Sequence, residues 1–263
     1  MLDRDEKKYR SFQLELPKDL DDFTGILIIG GDGTVNHLMN HFGDIEIPIG
    51  IIPAGSGNDL AQGFLPSNDL DSQYRSALNG TLHKVDAGIC NGRIFLNGMG
   101  MGFDGEVALE IPKVKWLNGH LKYLIVVIKK IFTYREKIMC MEWDGHIRDQ
   151  ETFMVFLANG PRTGGGFKIA PSAKCDDGKF DMIIVKRISI MQRLRFLPVI
   201  EKGKHIGLPF IDFSHAQQIS ITSAEMLNAQ LDGELMQSKR FDVRIMPGKY
   251  MFRYGTDLVD SIG

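Results

Sequence analysis

Four groups of residues in this chain have the types and the spacing to do chemistry. The first is Gly30-Gly31-Asp32-Gly33-Thr34-Val35-Asn36, which follows the aliphatic run Ile26-Leu27-Ile28-Ile29. A buried strand that ends in a glycine turn and opens a helix brings unpaired backbone N–H groups and the positive end of a helix dipole to one point. That point favours an anion such as phosphate. Glycine suits it because a side chain would hold the anion away from the backbone. Asp32 puts a carboxylate in the middle of this anion site, which makes sense when a cation such as Mg²⁺ accompanies the phosphate. An ordinary glycine turn in an α/β domain accounts for the same residues about equally well.

The second group, Gly55-Ser56-Gly57-Asn58-Asp59, repeats the arrangement. Ile45 to Pro53 reads as a buried strand, the small residues as a turn, and Leu60 and Ala61 as a helix start. Two such turns on neighbouring parallel strands converge at the C-terminal edge of a sheet, where α/β proteins bind ligands. The third group spans Asn159 to Gly178 and holds Gly164-Gly165-Gly166, Ile169-Ala170-Pro171 and Lys174-Cys175-Asp176-Asp177-Gly178. Its aspartates serve either as turn residues or as hard oxygen ligands for Mg²⁺. The fourth is Leu231-Asp232-Gly233-Glu234, a carboxylate pair across a tight turn. If partly buried, such a pair has its pKa values pushed apart, leaving one group able to accept a proton. A solvated hairpin turn is the alternative.

Other patterns carry less. Gly100-Met101-Gly102-Phe103-Asp104-Gly105 matches the dinucleotide fingerprint G-x-G-x-x-G, but the acid required about twenty residues further on is missing. We read it as a glycine-rich turn. His37 and His41 have metal-chelating spacing without a third ligand and read as ordinary helix residues. The Walker pattern G-x-x-x-x-G-K-[ST] is absent, which argues against a P-loop NTPase.

The elements that position these groups fall into two textures. Up to about Leu82 to Lys84 the chain reads as strands and helices of an α/β domain, residues 1–83, preceded by a short strand over Phe12, Leu14 and Leu16. Beyond it, residues 84–263 read as an antiparallel β-sandwich, with the last residues expected to pack back on the first domain. Asn91-Gly92 and Asp144-Gly145 mark hairpins. Further strands are expected at 153–158, 180–185, 219–222, 241–245 and 250–252. Ser189 and Gln192 form a capping box that opens a helix through Leu194, Leu197 and Ile200 and stops near Gly203. A second helix, from about Trp116 to Tyr134, carries Leu117, Leu121, Leu124, Ile128 and Ile131 at helical spacing. Lys113, Lys115, Lys122, Lys129, Lys130, Arg135 and Lys137 lie around it. Such a basic amphipathic helix is more often a solvated surface helix than one lying on a membrane.

The 263 residues are 43% hydrophobic and 24% charged, with a formal net charge of −2. This is the make-up of a globular domain with no global attraction for nucleic acid. Cys90, Cys140 and Cys175 are far apart, and without a secretory signal they read as reduced thiols of a cytoplasmic protein. The longest apolar run, Tyr123 to Ile128, is too short to span a bilayer.

Taken together and in this order, Gly30 to Asn36, Pro53 to Asp59, the Gly164 to Gly178 loop and Leu231 to Glu234 resemble the diacylglycerol kinase catalytic-domain family, most closely its soluble bacterial lipid kinases. The resemblance covers most of the chain from about residue 24. It implies an α/β nucleotide domain like that of phosphofructokinase and NAD kinase, followed by a β-sandwich, with ATP in the cleft between them. Gly30 to Asn36 would line the ATP phosphates, and the turn Gly55 to Asp59 would contact the nucleotide through Ser56. Glu234 matches the family's proton acceptor, with Asp232 in the same charged network. Asp177 matches its Mg²⁺-binding aspartate, with the backbone carbonyls of Lys174 and Lys179 as co-ligands. The implied acceptor is diacylglycerol or a similar lipid alcohol, which raises the odds that the basic helix meets the inner membrane face and leaves room for a homodimer. The family's opening strand with its Asn-Pro turn is missing here, His37 replaces a usual glutamate, and Leu235 a common proline. NAD kinase shares Gly-Gly-Asp-Gly-Thr but not the other motifs, and a catalytically silent nucleotide- or lipid-binding member is the competing class.

Overall fold

The computed structural model describes residues 8–13, 15–63, 69–114 and 119–255. Leu14, Lys115, Trp116 and Leu117, which entered the expectations above, lie outside them. No strand forms over Phe12 or Leu16; Phe12 instead meets the Phe23 ring edge to face.

The α/β region begins with β1 (Ile26–Gly30), α1 (Asp32–Phe42), β2 (Ile49–Pro53), α2 (Asp59–Gln62) and α3 (Leu70–Asn79). β1 and β2 are parallel and in register from Ile26 opposite Ile49 to Gly30 opposite Pro53. Both turns therefore leave the same edge of the sheet. Ile28, Ile49 and Ile51 bury one face against Val35, Leu38 and Met39 of α1, and Ile52 meets Tyr74 and Ala77 of α3 on the other. The aliphatic run of β2 follows from burial on both faces; that of β1 departs from the expectation, since β1 has α1 on one side while Ile29 on the other is 64% exposed.

The chain then enters β3 (Thr81–Cys90), β4 (Arg93–Phe95), β5 (Gly98–Gly102), α4 (Phe103–Glu110), α5 (Gly119–Thr133), β6 (Lys137–Trp143) and β7 (His146–Ala158). It finishes with β8 (Phe180–Lys186), α6 (Ile190–Glu201), β9 (Ile211–Ala216), β10 (Gln218–Leu231) and β11 (Glu234–Tyr254). Apart from the parallel pairs β1–β2 and β2–β11, the ladders are antiparallel. A sandwich interior forms where Met99, Met101, Val155, Leu157, Phe180 and Met182 face residues such as Ile219, Ile221, Phe241 and Val243. The opposite face of β7 and β8 is covered by α4, α5 and α6, through Phe103, Val126, Val127, Ile131, Phe196 and Ile200. This second cover explains the unbroken apolar run from Phe153 to Ala158, which alternation alone would not produce.

Two further expectations need correction. Gly100 to Gly105 is not a turn: Phe103 to Gly105 open α4, and Gly100 to Gly102 end strand β5, buried throughout between β10 and β7. Its glycines are spaces for neighbours, since a Cβ on Gly98 would stand 2.7 Å from the Phe156 ring and one on Gly100 would overlap the Asp104 carboxylate. The inward face of α5 is also only in part the one chosen by spacing, which holds for Ile131. Val126, Val127 and Ile131 are buried, whereas Leu121 and Ile128 face outward. The expected hairpins form at Asn91-Gly92 and Asp144-Gly145, and the Ser189–Gln192 capping box is present.

β3 and β11 run through both regions. β11 pairs with β3 from Val243 to Met246 and again from Tyr250 to Tyr254, with a bulge between. Its far end, Phe252 and Arg253, lies beside Ile49 and Gly50 of β2.

Candidate active site

β1 delivers the chain to Gly30 and Gly31, where α1 starts without a side-chain cap. The two glycine turns touch: a Cβ on Gly31 would stand 2.8 Å from the Gly55 Cα, and one on Gly55 2.5 Å from the Gly31 Cα. Asn58 sits in the left-handed region at φ 56°. It closes its own turn, accepting from the Gly55 N–H at 2.9 Å and donating to the Gly55 carbonyl at 2.8 Å. Asp32 crosses to the second turn and accepts the N–H groups of Asp59 and Leu60, both at 3.1 Å. It thereby caps the start of α2 from another element. Gly33, Thr34 and Ser56 are exposed at the mouth of this cradle, while Val35 and Asn36 are buried behind it.

The Asn159 to Gly178 stretch supplies a third wall. Gly165 donates its N–H to Asp59 Oδ2 at 2.9 Å, which requires a turn with Gly164 and Gly165 at positive φ. Arg162 donates to Gln62 Oε1 at 2.9 Å, and Gln62 donates to the Gly57 carbonyl at 3.0 Å. Asp59 is buried, and its second oxygen, Oδ1, has no partner. Burial raises its pKa most, and the charge of Asp32 adds to this; the Gly165 N–H and Arg162 oppose it. A buried carboxylate with an unpartnered oxygen beside a second carboxylate is a place that a hard cation fits. The uncapped start of α1 with its bare glycine turn fits an anion equally well.

The Leu231 to Glu234 hairpin is tied to the same helix. Asp232 and Gly233, at φ 49° and 91°, make a two-residue turn that sets Leu231 opposite Glu234. It is a hairpin turn, but the Asp232 carboxylate is not solvated. It accepts the N–H groups of Leu96 at 2.7 Å, Asn97 at 2.9 Å and Gly98 at 3.0 Å. Asn36 Nδ2 donates to it at 3.3 Å. Burial raises the Asp232 pKa, with these amide donors pulling the other way. Asp232 is thus a brace joining α1, β5 and the hairpin. The Glu234 residue is exposed, and its carboxylate makes no hydrogen bond or ion pair with any described residue.

Asp177 lies exposed on the loop from Lys174 to Lys179, with the Lys179 ammonium 3.8 Å from its carboxylate. No group of three His, Cys, Asp or Glu residues able to hold a metal occurs among the described residues. The loop is fixed by a residue that sequence reasoning passed over. Asp86 of β3 is buried and accepts the N–H groups of Gly178 at 2.7 Å and Gly248 at 2.6 Å, while its own N–H donates to the Cys175 carbonyl. Its signal was a lone acid inside the apolar run Val85-Asp86-Ala87. Arg162, at the mouth of the third loop, and Asp104, under α5, were passed over likewise. Burial pushes the Asp104 carboxyl up to about 6, and Gln230 donates to it at 2.8 Å.

The chain is thus an α/β region with a glycine cradle at its sheet edge, joined to an antiparallel sandwich whose hairpin carries an open carboxylate. Residues 5–90 match the model of the diacylglycerol kinase catalytic domain, and residues 97–251 that of the YegS C-terminal NAD kinase beta sandwich-like domain. A protein of Bacillus subtilis (strain 168) named diacylglycerol kinase is 30% identical over 220 residues, covering 82% of this chain and 72% of the relative. One of the same name from Staphylococcus aureus (strain bovine RF122 / ET3-1) is 30% identical over 214 residues, covering 80% and 67%. A solved structure from Bacillus anthracis str. Sterne, provisionally described as a diacylglycerol kinase, superposes with a TM-score of 0.73 over 90% of this chain and 78% of that one. At 24% identity it speaks for the fold alone. The chain belongs to the diacylglycerol kinase family, a family of lipid kinases.

Proposed function

We propose that this chain is an ATP-dependent lipid kinase that transfers the γ-phosphate to the hydroxyl of diacylglycerol or a related lipid alcohol. The observation that carries the proposal is the convergence of three glycine turns on the Asp32–Asp59 pair, beside a helix that is tied through Asn36 to the hairpin bearing Glu234. Gly30, Gly31, Gly33 and Thr34 present the start of α1 to the phosphates. Val35 and Asn36 hold that helix from behind, and Gly55, Ser56, Gly57 and Asn58 form the opposite lip. Phosphoryl transfer asks the protein mainly to position its reactants and to accept the hydroxyl proton. Glu234 accepts that proton as the lipid oxygen attacks the γ-phosphorus and ADP leaves. Asp232 keeps Glu234 in place without taking part in the transfer.

Asp32 and Asp59 would hold Mg²⁺, which supplies charge neutralisation at the phosphates. Asp177 with the carbonyls of Lys174 and Lys179 would offer a second, all-oxygen donor set once the Lys179 ammonium turns aside.

The test is transfer of labelled γ-phosphate from ATP to a panel of lipid alcohols in mixed micelles with Mg²⁺, for this chain and its Glu234→Gln variant. One labelled lipid is expected, with a loss of about 10²- to 10⁴-fold in the variant. No transfer to any lipid by folded protein would overturn the proposal.

A further inference from the structure

α5 is apolar on both sides. One side, Val126, Val127 and Ile131, packs on the sheet. On the other, Leu121, Ile128 and Phe132 form a stripe at positions i, i+7 and i+11, and are 55%, 41% and 57% exposed. α6 buries Phe196 and Ile200 into the same core cluster and turns Ile190, Met191 and Leu194 outward, Met191 being 61% exposed. α5 and α6 touch each other over one face of the sheet, so we take their outward apolar sides together as one ridge. A surface helix that is apolar on the side away from the core as well as on the side toward it has apolar surface left over for a further partner, lipid among them.

The cations around the ridge divide into two sets. Lys113, Lys129 and Lys130 are taken up by Glu110 and Glu106 of α4 and its flank. Lys122, Arg135 and Arg195 make no ion pair among the described residues. Of the nearby acids, Glu136 is paired with Arg193 beneath the helices, and Glu201 stands exposed at the end of α6. No helix of the described residues is long and apolar enough to cross a membrane, so a lipid contact here would lie along a surface.

We propose that this ridge docks the chain on a bilayer carrying anionic headgroups, with Leu121, Ile128, Phe132 and Met191 entering the headgroup boundary and Lys122, Arg135 and Arg195 meeting the lipid charge. The proposal rests on the lipid-kinase reading, since a kinase of membrane lipids must work at a bilayer. It departs from the amphipathic-helix expectation in one respect: the apolar side that meets lipid is the one facing away from the sheet.

The test is co-sedimentation of the full chain with vesicles of phosphatidylcholine, with and without phosphatidylglycerol, for the wild type, Ile128→Asp/Phe132→Asp and Lys122→Glu/Arg195→Glu. Binding of the wild type should rise with phosphatidylglycerol. The apolar pair should bind about tenfold or more weakly to both vesicles, and the charge pair should lose the phosphatidylglycerol-dependent part only. All variants should melt as the wild type does and phosphorylate a monomerically dispersed short-chain diacylglycerol at its rate. Failure of wild-type binding, in a chain that does phosphorylate the short-chain lipid, would overturn the ridge and leave the kinase standing. Binding without any phosphorylation would leave the ridge and sink the kinase. If Ile128→Asp/Phe132→Asp instead turned a dimer into a monomer in sedimentation velocity, with vesicle binding unchanged, the ridge would be a contact between copies and the proposal would be wrong.

Discussion

Gly30 to Gly33 and Gly98 to Gly105 are both rich in glycine, both follow an apolar segment and both open a helix, yet the fold uses them in opposite ways. Around Gly33 nothing lies within 4 Å of where a Cβ would be, and Gly31 gives way only to the facing glycine turn. Around Gly98, Gly100 and Gly105 the same space is filled by the Phe156 ring, the Asp104 carboxylate and the Asn228 carbonyl. In the first stretch Gly33 leaves a surface bare, although Gly30 makes room for the Thr34 side chain. In the second, glycine admits permanent neighbours. Composition does not distinguish the two uses; what stands opposite each glycine does.

That comparison can be broken most forcefully at Gly105. A side chain there overlaps the Asn228 carbonyl, a backbone atom that cannot retreat without disturbing β10. Gly105→Val should lose about 3 kcal/mol in denaturant unfolding; an unchanged midpoint would show that the second stretch is not close-packed.

The next effect comes from Asp104, the acid that occupies the space over Gly100. Its folded-state pKa lies above its unfolded value, rising from 3.8 to about 6, so the folded chain holds that proton more tightly. Its contribution to stability is therefore greatest below pH ~4, falls as the pH rises to about 6, and is constant beyond. The full shift corresponds to at most about 3 kcal/mol. Asp104→Asn should abolish this slope and raise stability at neutral pH by about 2 kcal/mol, as read from urea unfolding across the pH range. Parallel curves for the two proteins would show that the fold does not raise the Asp104 pKa.

Gly33→Ala sharpens the comparison from the other side. The added methyl meets no protein atom and improves a helix position, so thermal stability should hold or rise by about 0.5 to 1 kcal/mol. ATP binding by calorimetry should weaken by about tenfold, or about 1.4 kcal/mol, because the methyl enters the phosphate mouth. Unaltered ATP affinity would move the phosphates away from Gly33. The smallest effect is expected for Arg162→Ala, which frees Gln62 and slackens the second turn. The loss of about 0.5 to 1.5 kcal/mol for such a hydrogen bond should appear as a severalfold rise in the ATP dissociation constant at unchanged melting temperature.

The sequence was most legible where local chemistry decides. The runs Ile26 to Ile29 and Ile45 to Pro53 announce two strands, which form over Ile26–Gly30 and Ile49–Pro53 with only the second buried throughout its aliphatic part, and Ser189 with Gln192 announces a helix start, because these signals lie within a few residues. Asp32, Asp59 and Asp232 were visible as acids at glycine turns, but their partners lie far along the chain, from Asp32 to Leu60 and from Asp232 to Leu96. No local pattern reveals such partners. β5 was misread because its glycines take their meaning from Phe156 and Asp104, and the inward face of α5 was misread in part because that helix is apolar on both sides. Asp86 went unnoticed because a lone acid in a strand shows its worth only when two distant loops, at Gly178 and Gly248, close on it.

Asp86 also bears on how the molecule moves as a mechanical object. β3 and β11 pass from one region into the other, and their shared ladder is interrupted only at the bulge between Met246 and Tyr250, where Asp86 clasps Gly248. Such a joint is riveted rather than hinged. Two regions that share these girders cannot swing apart without breaking ladder hydrogen bonds between β3 and β11, the strand that starts at Glu234.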